Sequence, residues 1–355
     1  MLILGIESSC DETAAAVVED GRRVLSSVVA SQDKLHLPYG GVVPEIASRA
    51  HLANMLPVLS GALQQAGIGA DRLDAVAVIH TPGLVGALLV GLTTAKTVAW
   101  LFEKPLLAVN HLHAHAYAAT LDHADEVFPC ISLVASGGHT SLFHSRAPLE
   151  HELLATTRDD AAGEAFDKAA SILHLGYPGG PHIDRVARNG NPRAVRFPRA
   201  RFDPPSLDFS FSGVKTAVLY HCRGQDAHAP RQLTEKDVAD VAASFQEAVV
   251  DALMDRLLEA VEHTGVRRVA LGGGVAANSR LRARAQEAAA RRGLRLFLPP
   301  IKYCIDNAAM VAGLGWHALR AGQLSDLTLD VHPTERRATI APREPHRPNK
   351  VHSDG

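Results

Sequence analysis

The chain reads as an α/β protein in which one β-β-β-α-β-α plan is used twice. Three short apolar runs separated by turn residues open the chain, and the same rhythm restarts at Ile131. After each three-stranded start, single apolar runs alternate with helical stretches. Two copies of such a plan pack around a pseudo-twofold axis, with the C-terminal ends of their parallel strands facing one central cleft.

In the first copy, residues 2–8, 14–18 and 24–30 are the opening strands, with turns at 9–13 and at Asp20-Gly21. Residues 75–79 form the next strand. Pro82-Gly83 punctuate it, and a helical stretch runs through Trp100. Residues 105–109 lead to a helix starting near Asn110. The second copy has strands at 131–135, 141–144 and near 153–156, then 268–271 followed by Gly272-Gly273-Gly274 and a helix through Arg292. A run at 294–298 precedes Asp306 and a helix over 307–319. The second copy carries a long insertion, roughly 159 to 260. The expected lobes are therefore 1–127 and 128–324, and the Pro-, Arg- and His-rich residues 325–355 are expected to be a flexible tail.

Composition narrows the class. The chain has 355 residues, 46% apolar and 21% charged, as in water-soluble globular proteins. A formal net charge of -2 excludes a basic surface over the whole molecule, while leaving room for local patches or for partner proteins that help with a polyanion. Cys10, Cys130, Cys222 and Cys304 are widely spaced without C-x-x-C, the pattern of reduced thiols in a cytoplasmic protein. The opening M-L-I-L-G-I-E is no signal peptide. No apolar run approaches the roughly 20 residues of a membrane span. The stretch 83–100 comes nearest, and it holds Lys96, three Thr and three Gly.

His111 and His115 fall four apart in N-H-L-H-A-H-A-Y, on one face of a new helix, a spacing that can hold one divalent metal. His113 points elsewhere. A His-rich surface turn would show the same spacing without a metal. The duplication adds a second argument, because Asp306 begins the matching helix of the second copy and symmetry brings it across the cleft. Two imidazoles and one carboxylate suit Fe(II) or Zn(II). A plain helix cap at Asp306 is compatible with that role.

Three glycine or hydroxyl loops end strands that face the cleft: 6–13, 136–140 and 272–278. Each can offer backbone N–H groups to a phosphate or approach a ribose. None matches the Walker A or G-x-G-x-x-G patterns. In the insertion, Asp167 and Lys168 lie on a helical pattern, and Gly179, Gly180 and Asp184 follow in Y-P-G-G-P-H-I-D. Rigid turns beside carboxylates suit ribose hydroxyls or an amino group, and an ordinary helix with a glycine stop reads the same way. Arg185, Arg188, Arg193, Arg196, Arg199 and Arg201 form a basic stretch, either a solvated face or a phosphate contact.

The motifs G-I-E-S-S-C-D-E-T, G-G-V-V-P-E-I-A-S-R, P-G-L-V-G-A-L-L-V-G, H-x-x-x-H, S-G-G-H-T, D-D-A-A-G-E-A-F-D-K, Y-P-G-G-P, D-F-S-F-S-G-V-K-T, G-G-G-V-A-A-N and C-x-D-N-x-A-M form one set over residues 1–322. As a set they closely resemble the TsaD family, the tRNA adenosine threonylcarbamoyltransferases once called glycoproteases. The resemblance implies the actin-like/Hsp70/sugar-kinase (ASKHA) fold, with two RNase H-like lobes. It implies transfer of threonylcarbamoyl from threonylcarbamoyl-AMP to a tRNA adenosine, with AMP released. It implies an iron site at His111, His115 and Asp306, and nucleotide contacts at Val134, Ala135, Ser136, Gly137, Gly138, Asp167, Gly180, Asp184 and Asn278. Partners implied in bacteria are a paralogue, TsaB, and an ATPase, TsaE. Small departures, such as His80-Thr81 before Pro82 and Ile305 and Ala308 in the last motif, remove no ligand. Glu12 or Asp11 is the candidate proton acceptor. The rival readings are a metal-dependent endopeptidase, for which Leu112 stands where H-E-x-x-H needs its Glu, and an ATPase or kinase of the same fold.

Overall fold

The computed structural model describes residues 1–200, 202–224 and 232–334. Its first half runs β1 (Leu2–Glu7), β2 (Glu12–Glu19), β3 (Arg23–Ser31), α1 (Asp33–His36), α2 (Pro44–Ala66), β4 (Ala75–Thr81), α3 (Val85–Leu101), β5 (Leu106–Asn110) and α4 (His111–Tyr117). The second half opens with β6 (Cys130–Ala135), β7 (Thr140–Ala147) and β8 (Glu150–Thr156). Four helices follow: α5 (Ala162–Ile172), α6 (Gly179–Ala187), α7 (Ser212–Arg223) and α8 (Glu235–Thr264). The chain then continues through β9 (Arg268–Gly272), α9 (Ser279–Arg292), β10 (Arg295–Phe297) and α10 (Ala308–Arg320).

The two five-stranded sheets have the same order, β3-β2-β1-β4-β5 and β8-β7-β6-β9-β10. In each, the first three strands are antiparallel and the last two pair parallel to the first. The central strands β1, β2, β4 and β6 are apolar through most of their length because both faces are covered. β3 carries mostly half-exposed residues and forms an edge.

Two helices change places between the halves. α4 packs on β6 and β9 of the second sheet, and α10 packs on β1, β2, β4 and β5 of the first. Their shared core is rich in alanine, with Ala114, Ala118, Ala119, Ala308, Ala309 and Ala312 all buried. Small residues let the helix backbones come close. Glycine completes the approach at two points. A Cβ on Gly5 would lie 2.1 Å from the Ala308 carbonyl oxygen, and one on Gly272 would lie 2.3 Å from that of His115.

α2 spans 23 residues with Pro57 inside it, where proline normally ends a helical pattern. Pro44 opens this helix, left-handed Gly67 closes it, and its buried face rests on β2 and β3. Two features differ from the sequence expectation. The cap of α10 is Asn307, whose side chain accepts the Met310 N–H at 3.1 Å; Asp306 is left free of that task. Residues 325–334 do not begin a loose tail. Ser325 N–H donates to the Leu106 carbonyl and His332 N–H to that of His80, both at 2.9 Å, and Leu329 and Val331 pack on the core. Residues 335–355 lie outside the described residues.

Gly5→Ala is predicted to destabilise the protein by about 1–3 kcal/mol through overpacking against α10. Chemical denaturation measures this, and an unchanged midpoint would contradict the close-approach argument.

Candidate metal and substrate site

α4 starts where the Asn110 side chain accepts the N–H groups of Leu112 at 2.8 Å and His113 at 3.3 Å. The helix presents His111, its first residue, and His115, one turn on, on the same side, ring centroids 4.6 Å apart and nearly perpendicular. Asp306 meets them from the other half. Its Oδ1 lies 2.9 Å from His115 Nε2 and 3.7 Å from His111 Nε2. Both imidazoles are buried and the carboxylate nearly so. The ligand atoms of all three groups lie within 4.8 Å of one another.

Sequence reasoning missed the residue behind His111. Glu7, fully buried at the end of β1, places Oε2 3.0 Å from His111 Nδ1. A carboxylate only accepts, so Nδ1 carries the hydrogen and Nε2 is aimed at the centre. The Ser9 N–H holds the other Glu7 oxygen at 2.6 Å. This is the carboxylate–histidine arrangement that orients metal-binding imidazoles. Its signal in the sequence was the Glu of G-I-E-S-S, hidden inside an apolar strand. The Nδ1 atom of His115 is buried with no hydrogen-bond partner among the described residues, so this ring's polar contacts are incomplete. The donor set, the fixed tautomer and the incomplete ring fit a divalent ion held by His111, His115 and Asp306.

Charge follows the geometry. Burial pulls the His111 pKa down, but the carboxylates of Asp306 and Glu7 outweigh it and lift it to about 9. Burial raises Asp306, and the imidazoles of His111 and His115 hold it well below the usual carboxylate range. His139, at the end of the 136–139 loop, faces the same cluster, its ring 6.4 Å from that of His111. Burial and the neighbouring imidazoles lower it to about 4.

Asp11 and Glu12 stand on the β1–β2 turn beside this cluster, and their carboxylates lie within 4.8 Å of each other and of Asp33. Burial, then like charge from Asp11 and Asp306, pushes Glu12 well above its usual pKa; burial and Asp306 raise Asp11. Val134 and Ala135 are buried at the end of β6, and Ser136, Gly137 and Gly138 continue into the loop. A Cβ on Gly137 or Gly138 would meet nothing within 4 Å, so the loop's face is open. A Cβ on Gly273 would meet the Ala135 carbonyl oxygen at 2.3 Å, which sets the 272–278 loop against this one. Asp167 accepts the Gly179 N–H at 2.7 Å, and burial pushes its pKa up to about 6. Gly180 stands beside it at the start of α6, open around its Cβ position. Asp184 accepts the Ser279 hydroxyl at 2.7 Å. Asn278 caps α9 and donates to Gln246 at 2.8 Å.

Other candidates sit elsewhere. His113 stacks on His151 at 4.3 Å, away from the cluster. Lys215 is tied to Asp160 at 2.6 Å. Arg280 and Arg284 are ion-paired to Glu247, and Arg282 donates to the carbonyls of Ala276 and Pro299; none is idle surface charge. In the basic stretch, Arg188 pairs with Asp184 and Arg199 with Asp251, while Arg193 and Arg196 have no ion-pair partner among the described residues. Arg201 lies outside them.

Two sheets of the same strand order, with a buried His-His-Asp cluster where α4 meets α10, define an ASKHA-fold protein with a metal-type site. Solved structures agree on the fold. HypF from T. kodakarensis aligns with TM-score 0.58 over 90% of this chain and 48% of its own, at 16% identity. The activator of 2-hydroxyisocaproyl-CoA dehydratase from Clostridium difficile aligns with TM-score 0.53 over 91% and 97%, at 14% identity. Sequence comparison is more specific. The family model TsaD, tRNA N6-adenosine threonylcarbamoyltransferase, matches residues 23–313. Curated relatives of that name include one from Symbiobacterium thermophilum, 55% identical over 94% of this chain and 96% of its own length, and one from Clostridium beijerinckii, 48% identical over 94% and 97%. The chain belongs to the TsaD family of enzymes.

Two outcomes are predicted. Glu7→Gln should weaken metal binding by about 10- to 100-fold, read by chelator competition; unchanged affinity would remove Glu7 from the site. Because ligation requires deprotonated imidazole, metal affinity should rise about tenfold per pH unit until pH reaches the His111 value of about 9. A flat profile between pH 6 and 8 would contradict the charge assignment.

Proposed function

We propose that this chain transfers the threonylcarbamoyl group from threonylcarbamoyl-AMP to N6 of the adenosine 3′ of the anticodon, in tRNAs reading codons that begin with adenine. The product is threonylcarbamoyladenosine, t6A, and AMP leaves. Family membership supports the reaction. The observation that carries it at the site is the pairing of the His111, His115 and Asp306 cluster with the Asp11–Glu12 carboxylate turn beside the open 136–138 loop.

In this reading N6 of the adenosine attacks the carbamoyl carbon. The bond from that carbon to the phosphate oxygen breaks, and AMP departs with the electron pair. Glu12, or Asp11 beside it, takes the proton from the attacking amine. Burial and the like charge of Asp11 and Asp306 raise the Glu12 pKa well above its usual value, which makes its ionised carboxylate a stronger proton acceptor. Val134, Ala135, Ser136, Gly137 and Gly138 line the adenylate with Asp167, Gly180, Asp184 and Asn278, and positioning supplies much of the acceleration. A divalent ion, Fe(II) by preference and Zn(II) as the alternative, would act as a Lewis acid on the carbamoyl oxygen or the threonyl carboxylate.

A TsaB-like paralogue and a TsaE-like ATPase belong to this reading. Leu52 and Leu56 on α2 and Val85, Leu89 and Trp100 on α3 are all exposed, an apolar face that supports docking of the paralogue. No helix of the described residues is long and apolar enough to cross a membrane, and we place the reaction in the cytoplasm. An endopeptidase of the zinc type needs a Glu beside its first His, and Leu112 is buried there. An ATPase reading uses the loops and gives the His-His-Asp cluster no task.

The test runs two assays on one metal-loaded preparation with partners supplied. Label is expected to pass from threonylcarbamoyl-AMP to tRNA, His111→Ala is expected to abolish transfer, and no peptide cleavage is expected. Chelator-sensitive proteolysis without labelled tRNA would overturn the proposal.

A further inference from the structure

The Asp11–Glu12 turn is an unfavourable object to build. Three carboxylates, Asp11, Glu12 and Asp33, converge within 4.8 Å, and Asp306 adds a fourth negative charge nearby. Like charges at this range repel, so something must hold the turn. The backbone shows what does. The Cys10 carbonyl is engaged from α2, and the Asp11 carbonyl from the residue that follows β3. Cys10 C=O accepts from His51 Nε2 at 3.0 Å. Asp11 C=O accepts the Gln32 N–H at 3.0 Å, and the Gln32 side chain in turn donates to the Ala47 carbonyl of α2 at 3.4 Å.

His51 is the centre of this clamp. It projects from α2 and is fully buried. A carbonyl only accepts, so Nε2 carries the hydrogen. Nδ1 then accepts the Thr13 hydroxyl at 2.8 Å. Both ring nitrogens are thus spent on the two residues that bracket Asp11 and Glu12. Burial lowers the ring's pKa, which keeps it neutral with one donor and one acceptor. His36 completes the frame: its Nε2 faces the Gln32 side-chain oxygen at 3.2 Å and its Nδ1 accepts the Val43 N–H at 3.3 Å, just before α2 begins. Leu52 and Met55, the neighbours of His51 along the helix, face solvent and core respectively.

We infer that His51 is a positioning residue for the transfer reaction, fixing the Asp11–Glu12 carboxylates to α2 so that they meet the acyl acceptor in register. The inference rests on the proposed transferase reading and on the part that reading gives to Asp11 and Glu12. His51 itself touches no reacting atom. A merely structural histidine would affect folding; a positioning one affects turnover while binding stays intact.

The experiment measures steady-state transfer to tRNA, metal content and thermal midpoint for the full chain with its partners. His51→Leu removes donor and acceptor together. It should lower kcat by about 10- to 100-fold, while KM for the adenylate and bound metal stay near wild type. His51→Gln returns an amide N–H toward the Cys10 carbonyl and an oxygen toward Thr13, and should recover most of kcat. Thr13→Val keeps the shape and deletes only the hydroxyl. It should show the same kcat-selective loss at smaller amplitude, and it serves where His51→Leu does not fold. If wild type transfers label but Thr13→Val and every folded His51 variant keep wild-type kcat, the inference falls and the transferase reading stands. Parallel loss of kcat, metal and midpoint, without rescue by Gln, would likewise reduce His51 to a structural role. A wild-type protein that transfers no label would overturn both.

Discussion

The carboxylate of Asp306, shared between two buried imidazoles at the junction of the halves, is the contact on which the rest of the molecule depends. Removing a charge from water is costly unless it is paired, and Asp306 is answered by groups from the other half of the chain. His111 is answered in turn by Glu7, at the end of the first strand. One chain of charge therefore runs from β1 through α4 to the entry of α10. The same groups are needed to close the fold and to form the site.

Backbone proximity makes that chain of charge possible. α4 and α10 each cross to the opposite sheet, and their approach is set by alanines in the shared core and by glycines where a methyl would collide with a carbonyl. Larger side chains would separate the helices and draw Asp306 away from the imidazoles. Around the junction the open loop at Gly137–Gly138 and the Gly273 turn packed against it end the neighbouring parallel strands β6 and β9. The duplicated topology thus supplies two symmetric sets of strand ends around the junction.

Much of this was legible in the sequence. The strand rhythm at residues 2–30 and 131–156 marked both sheets, because apolar runs and turn residues report local structure directly. His111 and His115 were legible from their local spacing, whereas Asp306 joined them only through the repeat, since nothing local links residues that far apart. Glu7 was not legible, because a buried carboxylate at a strand end looks like an interruption of an apolar run. α2 was not assigned from the sequence; it carries Pro57 in its interior, which packing on β2 and β3 tolerates. The cap of α10 was read one residue early, since Asp306 and Asn307 are both good caps and only the hydrogen bond to Met310 separates them. The ion pairs of the α9 arginines had no local signal, because their carboxylate partners, Glu247 and Asp251, lie on a helix of the insertion.

The central claim is that the junction of the two halves holds one divalent metal between His111, His115 and Asp306. Anomalous diffraction from crystals of the metal-loaded protein, recorded on either side of the metal's absorption edge, tests it most directly. The account predicts one strong peak per chain, coordinated by the two imidazoles and the carboxylate at about 2.0–2.3 Å, with Glu7 still bonded to His111. A peak elsewhere in the cleft, or fully loaded protein with Asp306 outside the coordination sphere, would contradict it.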